Sequence, residues 1–153
     1  MTEVLFYHLE RASLDGVLPG LLEKTLERGW RAVVRAGSRE QVEALDALLW
    51  TYRDESFLPH GAGGDGARQP VWLTDGDDAP NDPQILFLVD GAEAALDAIA
   101  PLSRCVMIFD GADETARGRA RAFWKAAAGA GHEATYWRQS PQGRWERQGG
   151  KQG

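Results

Sequence analysis

Short, almost wholly apolar runs alternate along the chain with longer segments whose apolar residues recur every three to four positions. The first run, Val4-Leu5-Phe6-Tyr7-His8, has the length and composition of a strand. Leu18, Leu21, Leu22, Thr25 and Leu26 then follow at helical spacing, and Gly29 ends that helix. Ala32-Val33-Val34 reads as a second strand. Ser38 is placed to cap the next helix, with Gln41 three residues on as its capping-box partner, and Val42, Leu45, Leu48 and Leu49 form the apolar face. Val71-Trp72-Leu73, Ile85 to Val89 and Cys105 to Phe109 are further strands, and Thr135-Tyr136-Trp137 is the last one. Ala92 to Ile99 predicts a short helix, and Asp113 to about Gly129 a longer one. From Thr51 to Gln69 the pattern breaks into a loop containing Pro59 and a glycine-rich run, and Asp75 to Pro83 is acidic and turn-rich.

Strands that are apolar on both sides must be covered on both faces, and the intervening amphipathic helices are the covers. The pattern therefore predicts one α/β domain over residues 1–147. It is a three-layer α/β/α arrangement with a mainly parallel central sheet and a nucleotide-binding-like topology. Residues 148–153, Gln148-Gly149-Gly150-Lys151-Gln152-Gly153, are expected to be a disordered tail.

Composition narrows the function more than the fold. The chain has 153 residues, enough for one domain with a real core. Its 17 basic and 23 acidic residues give a net charge of −6, whereas a free-standing duplex-DNA binder usually carries a basic surplus. Direct DNA binding is therefore not expected as its main activity. No apolar stretch is long enough to cross a bilayer, and the start Met1-Thr2-Glu3-Val4 lacks the features of a signal peptide, so a cytoplasmic location is expected. The single cysteine, Cys105, lies in an apolar strand, which predicts a buried, inert thiol and no disulfide.

Candidate chemistry is sparse. The glycine cluster from Gly61 to Gly66 lacks the Lys-Ser/Thr ending and the preceding strand of a phosphate loop, and reads as a surface loop. His8, His60 and His132 are far apart and have no second ligand at metal-binding spacing, so each is expected to be structural or on the surface, with no metal site. Asp110 and Asp75 to Asp78 sit at strand ends, where turn formation and capping explain them. No nucleophile motif is present. No catalytic residue and no cofactor are expected.

Two segments stand out. Trp50, Tyr52 and Phe57 place large aromatics at a helix end and in a polar loop, where they either plug the domain's edge or anchor a partner. In the last helix, Ala116, Ala120, Phe123 and Ala127 form one stripe suited to the core. Arg117, Arg121 and Trp124, spaced i, i+4, i+7, form a second stripe turned by about 100°. Two guanidiniums beside an exposed Trp suit a ligand with a carboxylate and an aromatic ring. A solvated basic face is the alternative.

Three motifs in order resemble the chi subunit family of bacterial DNA polymerase III. They are the opening Val4-Leu5-Phe6-Tyr7-His8-Leu9, the segment Leu49-Trp50 followed by Ser56-Phe57-Leu58-Pro59-His60, and Arg119-Ala120-Arg121-Ala122-Phe123-Trp124-Lys125 followed by Gly131 and an aromatic strand. The similarity spans roughly residues 3 to 138. The resemblance implies a non-catalytic clamp-loader accessory subunit that links the clamp loader to single-stranded-DNA-binding protein by gripping its acidic C-terminal tail. It implies that Arg117, Arg121 and Trp124 bind that tail, with Arg119 as the basic position if the helix register differs. The family often has Tyr where Trp124 stands. The resemblance further implies a second docking surface at Trp50 and Phe57 for the small subunit psi or a helicase, where those partners exist. It gives no role to the Gly61–Arg68 loop or the Asp75–Pro83 insert. The alternatives are a structural subunit binding only a clamp-loader or helicase partner, and an enzyme on a nucleotide-binding-like fold centred on the carboxylates near Asp110.

Overall fold

A computed structural model describes residues 2–10, 12–51, 60–63, 65–139, 142 and 144–148. Seven strands form one sheet: β1 (Glu3–Leu9), β2 (Ala32–Arg35), β3 (Val71–Thr74), β4 (Ile85–Leu88), β5 (Arg104–Asp110), β6 (Glu133–Gln139) and β7 (Trp145–Arg147). Their order is β3-β2-β4-β5-β1-β6-β7, and every pairing is parallel except β6 with β7. Helices α1 (Leu14–Glu27) and α2 (Arg39–Thr51) cover one face, and α3 (Leu96–Ile99) and α4 (Glu114–Gly129) cover the other. The expected three-layer α/β domain with a mainly parallel sheet is the one observed.

Strand alternation divides the core in two. Leu5 and Leu9 of β1 point to the α1/α2 side and pack with Leu18, Leu22, Val42, Leu45 and Leu49. Val4 and Phe6 point the other way and pack with Ile99, Ala120, Trp124 and Ala127. Cys105 is buried in this second layer, where burial pushes its thiol up to about 12.

Local chemistry sets the helix ends. The Ser13 hydroxyl accepts from the Gly16 amide at the start of α1, and the Ser38 hydroxyl accepts from the Gln41 amide at the start of α2, 3.2 Å each. Helices α1 and α4 both end with a glycine in the left-handed region, Gly29 at φ +79° and Gly131 at φ +89°. The next amide, of Trp30 or His132, then bonds back to Thr25 or Ala127.

Three local expectations are revised. Helix α3 is one turn rather than eight residues, because Asp90 and Gly91 take left-handed backbone angles and Ala95 is still extended. The glycine-rich loop is not wholly free of the sheet. Gly61 exchanges backbone hydrogen bonds with Val71 and Leu73 on the edge strand β3, and Gly66–Arg68 forms a 3₁₀ turn. The acidic insert has a structural role. The carboxylate of Asp78 accepts from the Trp72 indole at 2.7 Å and from the Thr74 hydroxyl, and buried Asn81 donates to the carbonyls of Ala32 and Gln69. Strand β7 has no counterpart in the hydropathy pattern. It holds only three residues, and its Trp145 is seated by stacking on Tyr7 with ring centres 4.7 Å apart. Beyond it, the Gln148 amide donates to the Tyr136 carbonyl, while residues 149–153 lie outside the described residues.

Candidate peptide-binding site

Helix α4 begins at Asp113, whose carboxylate accepts from the amides of Thr115 and Ala116. Its alanines allow it to lie close to the sheet, with Ala120 and Ala127 buried against it. The predicted core stripe is rotated from its expected position. Trp124 is not the exposed ring expected from the sequence. It is only 8% exposed and packs against Phe6 and Tyr136, with ring centres 5.3 and 6.3 Å apart. Phe123 is instead partly exposed, though still packed on the core. The physical reason is position: Ala120 and Ala127 are seated against the sheet, Trp124 shares their stripe at i+4 from Ala120, and its indole packs on Phe6.

Even so, the three expected residues meet at one cavity. Arg117, Arg121 and Trp124 line a hollow of about 320 Å³ together with Phe6, Phe109, Ala120, Tyr136 and Gln148. Phe6, Phe109, Trp124 and Tyr136 make its aromatic floor. Both arginines are exposed at its mouth, and neither has an acidic partner among the described residues. Arg119, the alternative basic position, lies on the other flank of α4, where its guanidinium reaches the Gly91 carbonyl at 3.5 Å.

Two residues behind the arginines were not singled out as site residues by the sequence pattern. The Tyr136 hydroxyl lies 2.5 Å from Nδ1 of His8, whose ring is buried. Burial raises the Tyr136 phenol above its ordinary value, so it remains protonated at neutral pH. Burial, aided by the neighbouring Arg138 and Arg117 guanidiniums, lowers His8 below its ordinary value against the opposite pull of Glu10 and Asp110. The pairing could be anticipated only from the register, which places Phe6 opposite Tyr136 and His8 opposite Arg138.

The second expected surface lies on the opposite face of the sheet. Trp50, near the end of α2, is 55% exposed and is the one large exposed hydrophobic residue among those described. Its ring lies 4.9 Å from that of His60, which is buried and 3.0 Å from the Asp46 carboxylate. Phe57 and Tyr52 lie outside the described residues.

A larger crevice of about 870 Å³ opens on the far flank of α4, at the C-terminal ends of β1, β4 and β5. Its apolar floor includes Leu88, Met107 and Phe123, and its rim carries Asp90, Glu93, Asp110 and Asp113 against Arg119. Among the described residues, no helix is long and apolar enough to cross a membrane.

Comparison with known proteins agrees with the motifs. Residues 1–135 match the family model described as DNA polymerase III chi subunit, HolC. The chain is 29% identical over 97 residues to the "Probable DNA polymerase III subunit chi" of Rickettsia prowazekii, covering 62% of this chain and 59% of that protein. It is 32% identical over 90 residues to the "DNA polymerase III subunit chi" of Pseudomonas aeruginosa, covering 57% and 63% respectively. The matched region thus spans about three fifths of the length of these curated relatives. With the family model covering residues 1–135, most of its length, the chain belongs to the DNA polymerase III chi subunit family.

Proposed function

We propose that this protein is a non-catalytic accessory subunit of the DNA polymerase III holoenzyme. In this reading it connects the clamp loader to single-stranded-DNA-binding protein by gripping the acidic C-terminal tail of that protein. The observation that carries the proposal is the flank of α4, where two arginines without acidic partners among the described residues stand over an aromatic-floored hollow. An arginine can hold a carboxylate through two parallel hydrogen bonds, and the floor offers ring faces and edges to a phenyl group. The hollow is at the small end of the range for ligand pockets, about 300–1,000 Å³, which suits one terminal side chain with its carboxylate. The net charge of −6 opposes an acidic ligand at long range, so the arginines must act locally. Exposed Trp50 supports a separate docking surface for a clamp-loader subunit or a helicase.

The test is calorimetric titration with the last ten or so residues of the cognate single-stranded-DNA-binding protein. Wild type should bind. Arg121→Ala, shown by circular dichroism to be folded, should bind much more weakly. Equal affinities in two folded proteins would remove the pocket assignment. Undiminished binding of a peptide lacking its terminal Phe would remove the mechanism.

A further inference from the structure

We propose that Tyr136 is a further ligand-contacting residue of the α4 hollow and that His8 behind it sets the direction of the Tyr136 hydroxyl. The hollow then accepts a carboxylate better when His8 carries a second proton. The inference rests on the reading above, in which the ligand is an acidic C-terminal peptide.

Tyr136 lines the hollow, and His8 is packed behind it. His8 is 7% exposed, and its ring lies directly against the backbone of Gly111, where any Cβ would come within 1.9 Å of Nε2. Nδ1 meets the Tyr136 hydroxyl at 2.5 Å, and Nε2 faces the Glu10 carboxylate at 3.5 Å. Glu10 is itself bridged to Arg138. Among the described residues, the charged and titratable groups around the ring are Glu10 just beyond the end of β1, Tyr136 and Arg138 on β6, Asp110 on β5 and Arg117 on α4. Tyr136 also feels Arg117 and Arg121, the two arginines at the mouth.

Hydrogen-bond logic then assigns the protons. In neutral His8 the single N–H belongs on Nε2, facing Glu10, so Nδ1 is an acceptor and takes the Tyr136 O–H. The tyrosine oxygen then shows only lone pairs to the hollow, which repel a carboxylate. When His8 takes a second proton from solvent, Nδ1–H donates to the tyrosine oxygen instead. The phenolic O–H is released, turns outward and can donate to a carboxylate held by Arg117 and Arg121. The imidazolium also adds a positive charge behind the hollow. Binding an anion therefore favours protonated His8, and proton uptake accompanies binding at pH values between the titration points of free and bound His8. Because His8 titrates below its ordinary value, the free protein is mostly neutral there at pH 7.5, and affinity should rise as pH falls.

The probe is the same tail peptide, titrated at pH 7.5, 6.5 and 5.5 in two buffers of different ionisation enthalpy. Its carboxylates stay largely ionised across this window. Wild type should bind about tenfold more tightly at pH 5.5 than at pH 7.5 and take up protons on binding within that window. His8→Gln can still hydrogen-bond Tyr136 but cannot titrate, and its affinity should be flat with pH. Tyr136→Phe should lose several-fold affinity at pH 5.5 and most of the pH response. Arginine-dependent binding with no proton uptake in wild type would overturn this inference and leave the proposed function standing, and this readout needs no variant to fold. An equal pH response in wild type and His8→Gln would also overturn it. Failure of wild type to bind at either pH would overturn both.

Discussion

The two flanks of α4 line two cavities of opposite character. On one flank, Arg117 and Arg121 stand over Phe6, Phe109, Trp124 and Tyr136 in a hollow of about 320 Å³. On the other, Asp90, Glu93, Asp110 and Asp113 rim a crevice of about 870 Å³ in which, among the described residues, Arg119 is the one counter-charge on the lining. The crevice also lies outside the C-terminal ends of parallel strands, where ligands commonly bind in open α/β sheets. By size and position it is the more conspicuous site, but its charge is wrong for an acidic ligand. A carboxylate entering it would meet four like charges, and entering the smaller hollow it would meet two guanidiniums. For this helix, charge and ring placement separate the two flanks more sharply than volume does. A single turn of α4 decides which basic residue serves which flank, because residues two apart lie on opposite sides of a helix.

The largest expected effect concerns the floor rather than the rim. Trp124 holds α4 on the sheet through Phe6 and Tyr136, so Trp124→Ala should cost about 3–5 kcal/mol of stability in urea unfolding. A cost below about 1 kcal/mol would mean that the indole is a ligand-facing ring after all and that the observed packing is not what holds the helix. The next effect separates the flanks directly. Arg121→Ala should lose about 2 kcal/mol of tail binding, roughly thirtyfold in affinity, whereas Arg119→Ala should change it by less than about twofold. A larger loss for Arg119→Ala in calorimetry would exchange the flanks. Salt gives a smaller effect. Raising NaCl from about 0.05 to 0.5 M should weaken tail binding on the order of fivefold, and the slope should be shallower in Arg121→Ala, which has one ion pair fewer to screen. A salt-independent affinity would place the binding energy in the aromatic floor alone.

Most of the fold was legible because its signals are local. Ile85 to Leu88 is apolar without a break, as a strand covered on both faces must be, and Ser38 and Gly29 act at helix ends through bonds to nearby residues. The arginines were legible for the same reason, since Arg117 and Arg121 share a flank by helical spacing alone. What was missed depends on partners distant in the chain. Trp124 is buried because Phe6 lies beneath it, and nothing near Trp124 in the sequence announces that. His8, reasonably taken from the sequence as a structural or surface residue, faces Tyr136 only because β1 and β6 are neighbours in parallel register. Strand β7 is three residues long, too short for alternation to be read, and its Trp145 is seated by stacking on Tyr7, far off in the chain. Asp78 looked like turn chemistry until Trp72 and Thr74 of the edge strand came within its reach.

The smallest expected effect tests a second contrast, between the flank of α4 and the end of α2 across the sheet. From the sequence, Trp50 could be a plug for the domain's edge or an anchor for a partner. A plug would be covered by its own domain. Trp50 is more than half exposed, and its described ring contact is with His60 at 4.9 Å. Removing a side chain that is more than half in water forfeits only part of a tryptophan's burial and leaves no closed cavity, so Trp50→Ala should cost about 1 kcal/mol of stability, well below Trp124→Ala. It should also leave tail binding unchanged, because α2 and α4 lie on opposite faces of a seven-stranded sheet. Large exposed aromatics of this kind supply much of the energy of protein interfaces, and truncating one typically costs 2 kcal/mol or more when a partner covers it. The contrast to measure is therefore a small change in urea unfolding against a roughly thirtyfold loss for a clamp-loader or helicase partner. If Trp50→Ala instead costs more than about 2 kcal/mol of stability, His60 and Asp46 are being held in place by the indole, and the ring is a plug.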